Sequence, residues 1–334
     1  MPSSGTYVFT VTRDDIIREA LLNTGKLGAT GYIAPQDTLD CARKLNMMVK
    51  QWMGTQDYAP GLKMWTRARG DLFLSSTKYA YNLGPSGDAW AGGIAVAQPN
   101  GLTYAQHQTI ANASAGATTI NVGVGSTSNL TANDYVVLQL TSGDIYTTTV
   151  ATINAGAGTF IIPAPGLPSP MAANNYLWNY TTKAQRPLEI VTCILRDITN
   201  NDTPMDYMTV QTYEQLPSKT QSSYTSDPTS IYYEPDLGNG TLYIDVGGAQ
   251  DVTKHLHMVF LRPIQDFNNP LDNPDYAAEW FLALSWGLTK QICPMYNAVW
   301  STTMQENHDT ALSIARNANP ETSQLYFQCN SDRP

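Results

Sequence analysis

The sequence predicts an α+β fold: N- and C-terminal α-helices packed as an antiparallel helical bundle, with a long β-rich, sandwich- or barrel-like insertion between them. Three observations carry this expectation. Apolar residues recur at helical spacing near both ends of the chain. The period changes to two from about Leu72 to Leu261. Turn-forming residues interrupt that middle stretch about every 10 residues, as small β-sandwiches and barrels require. The expected division is a discontinuous helical domain, 1–71 with 265–318, and an inserted β-rich region, 72–264. The insertion splits into a subdomain at about 84–182 and a second β group at about 186–262, and an extended arm, 319–334, ends the chain.

The first helix opens at Thr12, whose hydroxyl can cap it, with Asp14 and Asp15 in the first turn. Ile16, Ile17, Ala20 and Leu21 form its stripe, and Gly25 or Gly28 ends it. The second enters through Pro35 and Asp37, carries Leu39, Ala42, Leu45, Val49 and Trp52 on one side, and stops at Gly54. In the middle, Tyr79, Tyr81 and Leu83 alternate, and Ile120, Val122 and Val124 are expected on one strand face. Ser142-Gly143-Asp144 and Asn239-Gly240 are turn signals between strands. Asn273-Pro274-Asp275 reads as a helix start, followed by Trp280, Ala283, Leu284 and Leu288. Pro294 breaks that helix, and a last one is expected from about Ala298 to Ala318. Leu45, Trp52, Trp280 and Leu284 are the candidate helical core, because stripes this large must be buried against one another.

A chain of 334 residues can bury roughly 75% of its unfolded surface, so its core needs neither disulfide nor metal. Charged residues make up 14%, below the roughly 25% of an average domain. The net charge of −9 argues against sequence-independent nucleic-acid binding, which needs cations for phosphates. The same sign suits a channel wall that lets DNA slide past without trapping it. Cys41, Cys193, Cys293 and Cys329 are widely spaced and read as reduced thiols. No secretory leader and no membrane span are expected from the N-terminal stretch or from any apolar window.

The search for a reaction centre yields weak candidates. His255 and His257 alternate on a strand and could act as a pair of metal ligands, but no neighbour in sequence completes a set, so they read as solvent-facing. His308 reads as a surface or interface residue. Asp272, Asp275 and Glu279 could pair as glycosidase carboxylates, yet Asp275 is accounted for by the helix start. Gly123-Val124-Gly125 lies in a strand-and-turn context rather than opening a helix. No catalytic residue, cofactor or metal is expected. The surplus is aromatic, 19 Tyr and 7 Trp, residues favoured where an apolar body is buried and a polar tip stays wet, as at subunit interfaces.

The order of parts resembles the head-to-tail adaptor (tail accessory factor) proteins of podoviruses. Leu45, Asn46, Met48 and Trp52 resemble the Leu-Asn-x-Met-x-x-x-Trp of that family's opening segment. Arg186 to Val191 resembles the start of its central β section. The stretch with Asp266-Phe267 and Glu279-Trp280 resembles its closing segment. The resemblance implies a virion structural protein at the head–tail junction, made in the host cytoplasm. It implies a dodecameric ring that binds the portal protein on one side and a tail (nozzle or hub) protein on the other. DNA would pass through the lumen without specific binding. The C-terminal arm would grip the portal, with Leu325, Tyr326 and Phe327 as anchors, since a few aromatics dominate most interfaces. The alternative is a carbohydrate- or receptor-binding β-module of a phage tail or surface protein.

Overall fold

The computed structural model describes residues 9–54, 67–92, 103–217, 219, 226–249 and 251–318. The chain divides into two compact units, Met1–Thr66 with Ile264–Pro334, and Arg67–Pro263.

The first unit holds α1 (Arg13–Asn23) and α2 (Pro35–Gly54). The second unit contributes one short helix, α3 (Val210–Glu214), and α4 (Phe281–Ile292) and α5 (Thr302–Asn317) complete the first. A capping box starts α1: Asp15 N–H donates to Thr12 Oγ1 at 3.2 Å, and Thr12 N–H donates to Asp15 Oδ2 at 2.9 Å. Ser301 caps α5 by accepting from Met304 N–H at 3.2 Å.

The expected antiparallel bundle of terminal helices around a sandwich- or barrel-like insertion is corrected. The fold is mixed α/β, with five helices and four sheets among the described residues, and the sheets dominate the middle of the chain. The helices are short, and α1, α2 and α5 each pack on α4 instead of lying side by side as a bundle. The reason is that α4 is buried nearly all round, through Ala283, Leu284, Ser285, Gly287, Leu288, Thr289 and Ile292. A helix of that kind must be surrounded, so its neighbours gather about it. Leu45, Trp280 and Leu284 are buried in this core and Trp52 is half-buried, its ring 6.0 Å from that of Trp280.

The expected helix start at Asn273-Pro274-Asp275 is also corrected. Asp272 instead accepts from Asn268 and Asn269 N–H at 2.8 and 2.6 Å, and Asp275 accepts from Gln265 N–H at 3.1 Å. These carboxylates satisfy a loop, and the chain makes one 3-10 turn, Ala278–Trp280, before α4 begins. Pro294 falls just after α4, in a second 3-10 turn closed by left-handed Asn297.

Among the described residues the second unit strings sixteen strands. The first five are β1 (Arg67–Phe73), β2 (Ala80–Leu83), β3 (Trp90–Gly92), β4 (Ala105–Gln108) and β5 (Thr119–Asn121). Then come β6 (Tyr135–Gln139), β7 (Ile145–Thr149), β8 (Thr152–Asn154), β9 (Thr159–Ile161) and β10 (Tyr176–Tyr180). The last six are β11 (Glu189–Arg196), β12 (Asp202–Pro204), β13 (Asp206–Tyr207), β14 (Ser230–Glu234), β15 (Gly240–Ile244) and β16 (His255–Leu261). Their sheet orders are β12-β11-β16-β1-β3, β4-β10-β6-β7, β13-β14-β15-β2 and β5-β9-β8. Among the described residues all pairs are antiparallel except β13 with β14.

Among the described residues three apolar clusters replace the single core of a sandwich. One joins the first and third sheets through Leu72, Leu83, Trp90, Ile231, Leu242 and Phe260. A second fills the space of the second and fourth sheets through Ile120, Val136, Leu138, Phe160 and Leu177. The third packs Phe73 and Ala91 against Tyr104, Val137, Trp178 and Tyr180. Val124 does not share the buried face of Ile120 and Val122. β5 ends at Asn121, and Gly123 and Gly125, at φ +88° and +94°, turn the chain so that Val124 is exposed.

Candidate functional site

Two places concentrate features beyond ordinary packing, one in each unit. In the β unit, Asp71 lies midway along β1 and is wholly buried. Its cross-strand partner is His257 on β16, and His255 stands two residues away opposite Phe73. His257 Nδ1 donates to Asp71 Oδ1 at 2.7 Å, and His255 Nε2 lies 3.6 Å from the same oxygen. The other carboxylate oxygen accepts from the hydroxyl and N–H of Thr103. The Tyr104 hydroxyl and His255 Nε2 are 3.1 Å apart. On the far side of β16, His255 pairs in register with Arg196 of β11, which forks onto Asp202 of β12 at 2.7 and 2.9 Å.

Burial alone would raise the Asp71 carboxyl. Hydrogen bonds from His257 and Thr103, with both imidazoles beside it, outweigh that, so its pKa is lowered. Burial pushes the His255 imidazole down to about 4, against the pull of Asp71. His255 Nδ1 is buried without a hydrogen-bond partner among the described residues. The reading of His255 and His257 as solvent-facing is therefore corrected: both are buried, at 1% and 8% exposure. Among the described residues no group of three or more His, Cys, Asp and Glu is arranged to hold a metal ion. The cluster ties the segment at Thr103-Tyr104 to the β1–β16 ladder, and its closed carboxylate acts there as a pin.

In the helical unit, the start of α1 and the start of α4 border an open groove of about 370 Å³. Phe9, Val11, Ile16, Ala278, Phe281 and Leu282 supply its apolar surface, and Asp15, Glu19 and Ser285 its polar edge. Phe9 is 72% exposed and Leu282 56% exposed, and the Phe9 and Phe281 rings lie 6.3 Å apart. Leu39, Met47, Val299 and Ile314 add further exposed apolar side chains to this unit.

Of the residues singled out from sequence, His308 is corrected from a surface residue to a buried one on α5, its ring edge-on to Trp300 at 6.3 Å and its Nδ1 2.9 Å from Asp309 Oδ1. Leu325, Tyr326, Phe327 and the rest of the 319–334 arm lie outside the described residues. Sequence reasoning missed Asp71, Thr103 and Tyr104, which are remote from the histidines along the chain. It also missed the groove residue Phe9, whose only signal was an apolar residue shortly before a capped helix. No helix among the described residues is long and apolar enough to cross a membrane. No protein-family model and no curated protein matches the chain.

Proposed function

We propose that the chain is a virion structural protein, an adaptor that joins a phage portal to its tail as a homo-oligomeric ring. The observation that carries this reading is the open apolar groove of the helical unit, with Phe9 and Leu282 presented to solvent beside it. Exposed aromatic and aliphatic side chains around a concave apolar floor are what a protein–protein contact buries. The helical segments carrying the adaptor-like motifs, Leu45 to Trp52 and Glu279-Trp280, border or underlie that unit's core. The portal is the occupant this reading assigns to the groove, with the 319–334 arm as a second grip. The tail protein is assigned to the other side of the ring.

The carbohydrate-binding alternative needs aromatic rings with free faces on the β region. Tyr213, Tyr232 and Tyr243 do cluster there, but at centroid separations of 4.8–5.7 Å they stack mainly on one another. Sugars stack on open ring faces, so this cluster favours the adaptor reading.

Mixing the purified chain with portal and imaging by negative stain tests the proposal. Rings seated on portal are expected, and deletion of 319–334 is expected to abolish their attachment. Persistent monomers with no portal affinity would overturn it.

A further inference from the structure

Among the described residues the second sheet of the β unit ends in β7, Ile145–Thr149, which pairs with β6 on one side only. Val150 N–H donates to Asp134 O and Asp144 O accepts from Leu140 N–H, both at 2.8 Å. Even-numbered residues of this strand thus turn their backbone groups toward β6. By alternation, the N–H and C=O groups of Thr147 and Thr149 point outward from the sheet, as does the carbonyl of Ile145. Ile145 N–H is taken by Asp144 Oδ1 at 2.8 Å.

Exposed edges are normally blunted by charge, proline, brevity or cover. Two other edges in the unit show such guards: β12 carries Asp202 and Pro204, and β3 is covered by the bridge from Ala91 to Lys183. The sequence of β7, Ile-Tyr-Thr-Thr-Thr, has none of these guards. The surroundings extend the point. Between Thr103 and Thr182 the only Asp, Glu, Lys or Arg residues are Asp134 and Asp144. Asp134 is buried, and Asp144 is held at the strand's end by Ser75, Ser76 and Ile145. A chain of net charge −9 repels its own copies in general, and this is the strip where two copies can meet without opposing carboxylates.

We propose that β7 is a self-association edge, pairing antiparallel with β7 of a second copy about a twofold axis at Thr147. In that register Thr147 faces Thr147, Ile145 faces Thr149 and Tyr146 faces Thr148. These are threonine and aromatic–β-branched pairs, which stabilise cross-strand contacts. The two sheets join into one of eight strands. A twofold contact stops at two copies, so it is separate from the head-to-tail contacts of any ring and does not depend on the adaptor reading. Five residues a side make a small contact, so the dimer is weak and concentration-dependent.

Sedimentation of the full chain across the micromolar to millimolar range tests this. A monomer–dimer equilibrium that added salt does not weaken is expected, because no ion pair holds it and screening relieves the repulsion between two acidic copies. Thr147→Lys places two cations in opposition and is expected to weaken the dimer roughly tenfold, with an unchanged melting temperature. Thr147→Cys in a Cys329→Ser background is expected to form an interchain disulfide on oxidation. Facing α-carbons in such a pair lie about 5.5 Å apart, inside the roughly 4.4–6.8 Å that disulfides span. Failure of the cysteine variant to bridge, or a Thr147→Lys dimer as strong as the parent, overturns the proposal. Open-ended polymers in place of a dimer also overturn it, since they require a different edge as partner.

Discussion

Asp71 and His257 face each other across the β1–β16 ladder with Oδ1 and Nδ1 2.7 Å apart, although 186 residues separate them in sequence. The carboxylate is wholly buried, so every hydrogen bond it makes comes from the protein. Breaking a buried pair leaves the remaining polar group desolvated and unpaired, which costs more than the pair itself contributes.

Asp71→Ala is expected to destabilise the β unit by about 3 kcal/mol or more, since it strands His257 and the Thr103 hydroxyl. Urea unfolding followed by tryptophan fluorescence checks this. A loss within a few tenths of a kcal/mol would show that the cluster is not a pin.

The pH dependence follows from His255. Its folded-state pKa is about 4 against an ordinary 6.5, so as pH falls the unfolded chain takes up the proton first. Stability is therefore full above about 6.5 and declines as pH falls toward 4. The decline amounts to roughly 3 kcal/mol. The Asp71 carboxyl is lowered in the fold, so its contribution holds above its unfolded value and is lost only at still lower pH. Thermal melts at a series of pH values check this, and His255→Gln is expected to flatten the slope between 6.5 and 4.

Gly70 sits under the indole of Trp90, which is fully buried and packs against Phe260 at 5.2 Å. A β-carbon at position 70 would meet indole carbons at 2.7 Å or closer. Alanine favours a strand over glycine, but here the ring has nowhere to go. Gly70→Ala is expected to cost about 3 kcal/mol, an overpacking penalty. A melting temperature at or above that of the parent would contradict it.

In the helical unit, Leu282→Glu alters an exposed groove residue without touching the core. Its melting temperature is expected to stay within error of the parent, while attachment to portal falls at least about tenfold, as loss of an interface anchor does. Trp280→Ala is the contrast: it empties the core beside Trp52 and is expected to cost about 3–5 kcal/mol.

Much of the local structure was legible in the amino-acid sequence. Thr12 with Asp15, Pro35, Ser142-Gly143-Asp144, Asn239-Gly240 and Pro294 all mark real boundaries, because caps and turns are settled by residues a few positions apart. The burial of Leu45, Trp280 and Leu284 was legible for a similar reason, since a large apolar stripe has to be covered by something.

Tertiary structure decided the rest. Alternation along β16 puts His255 and His257 on one face, but β16 is a central strand with β1 and β11 on either side. Whether that face meets water depends on Asp71, Thr103 and Tyr104, which arrive from elsewhere in the chain. Asp272 and Asp275 look like a helix start until the loop N–H groups of Asn268, Asn269 and Gln265 claim them. The arrangement of helices about α4 likewise depends on which residues surround it on every side. Sequence by itself determined the caps, the turns and the apolar stripes, whose partners lie within a few residues. The fold alone decided the sheet order, the inward histidines, the open groove and the bare β7 edge, because each depends on which segments, many of them remote in sequence, come to lie beside it.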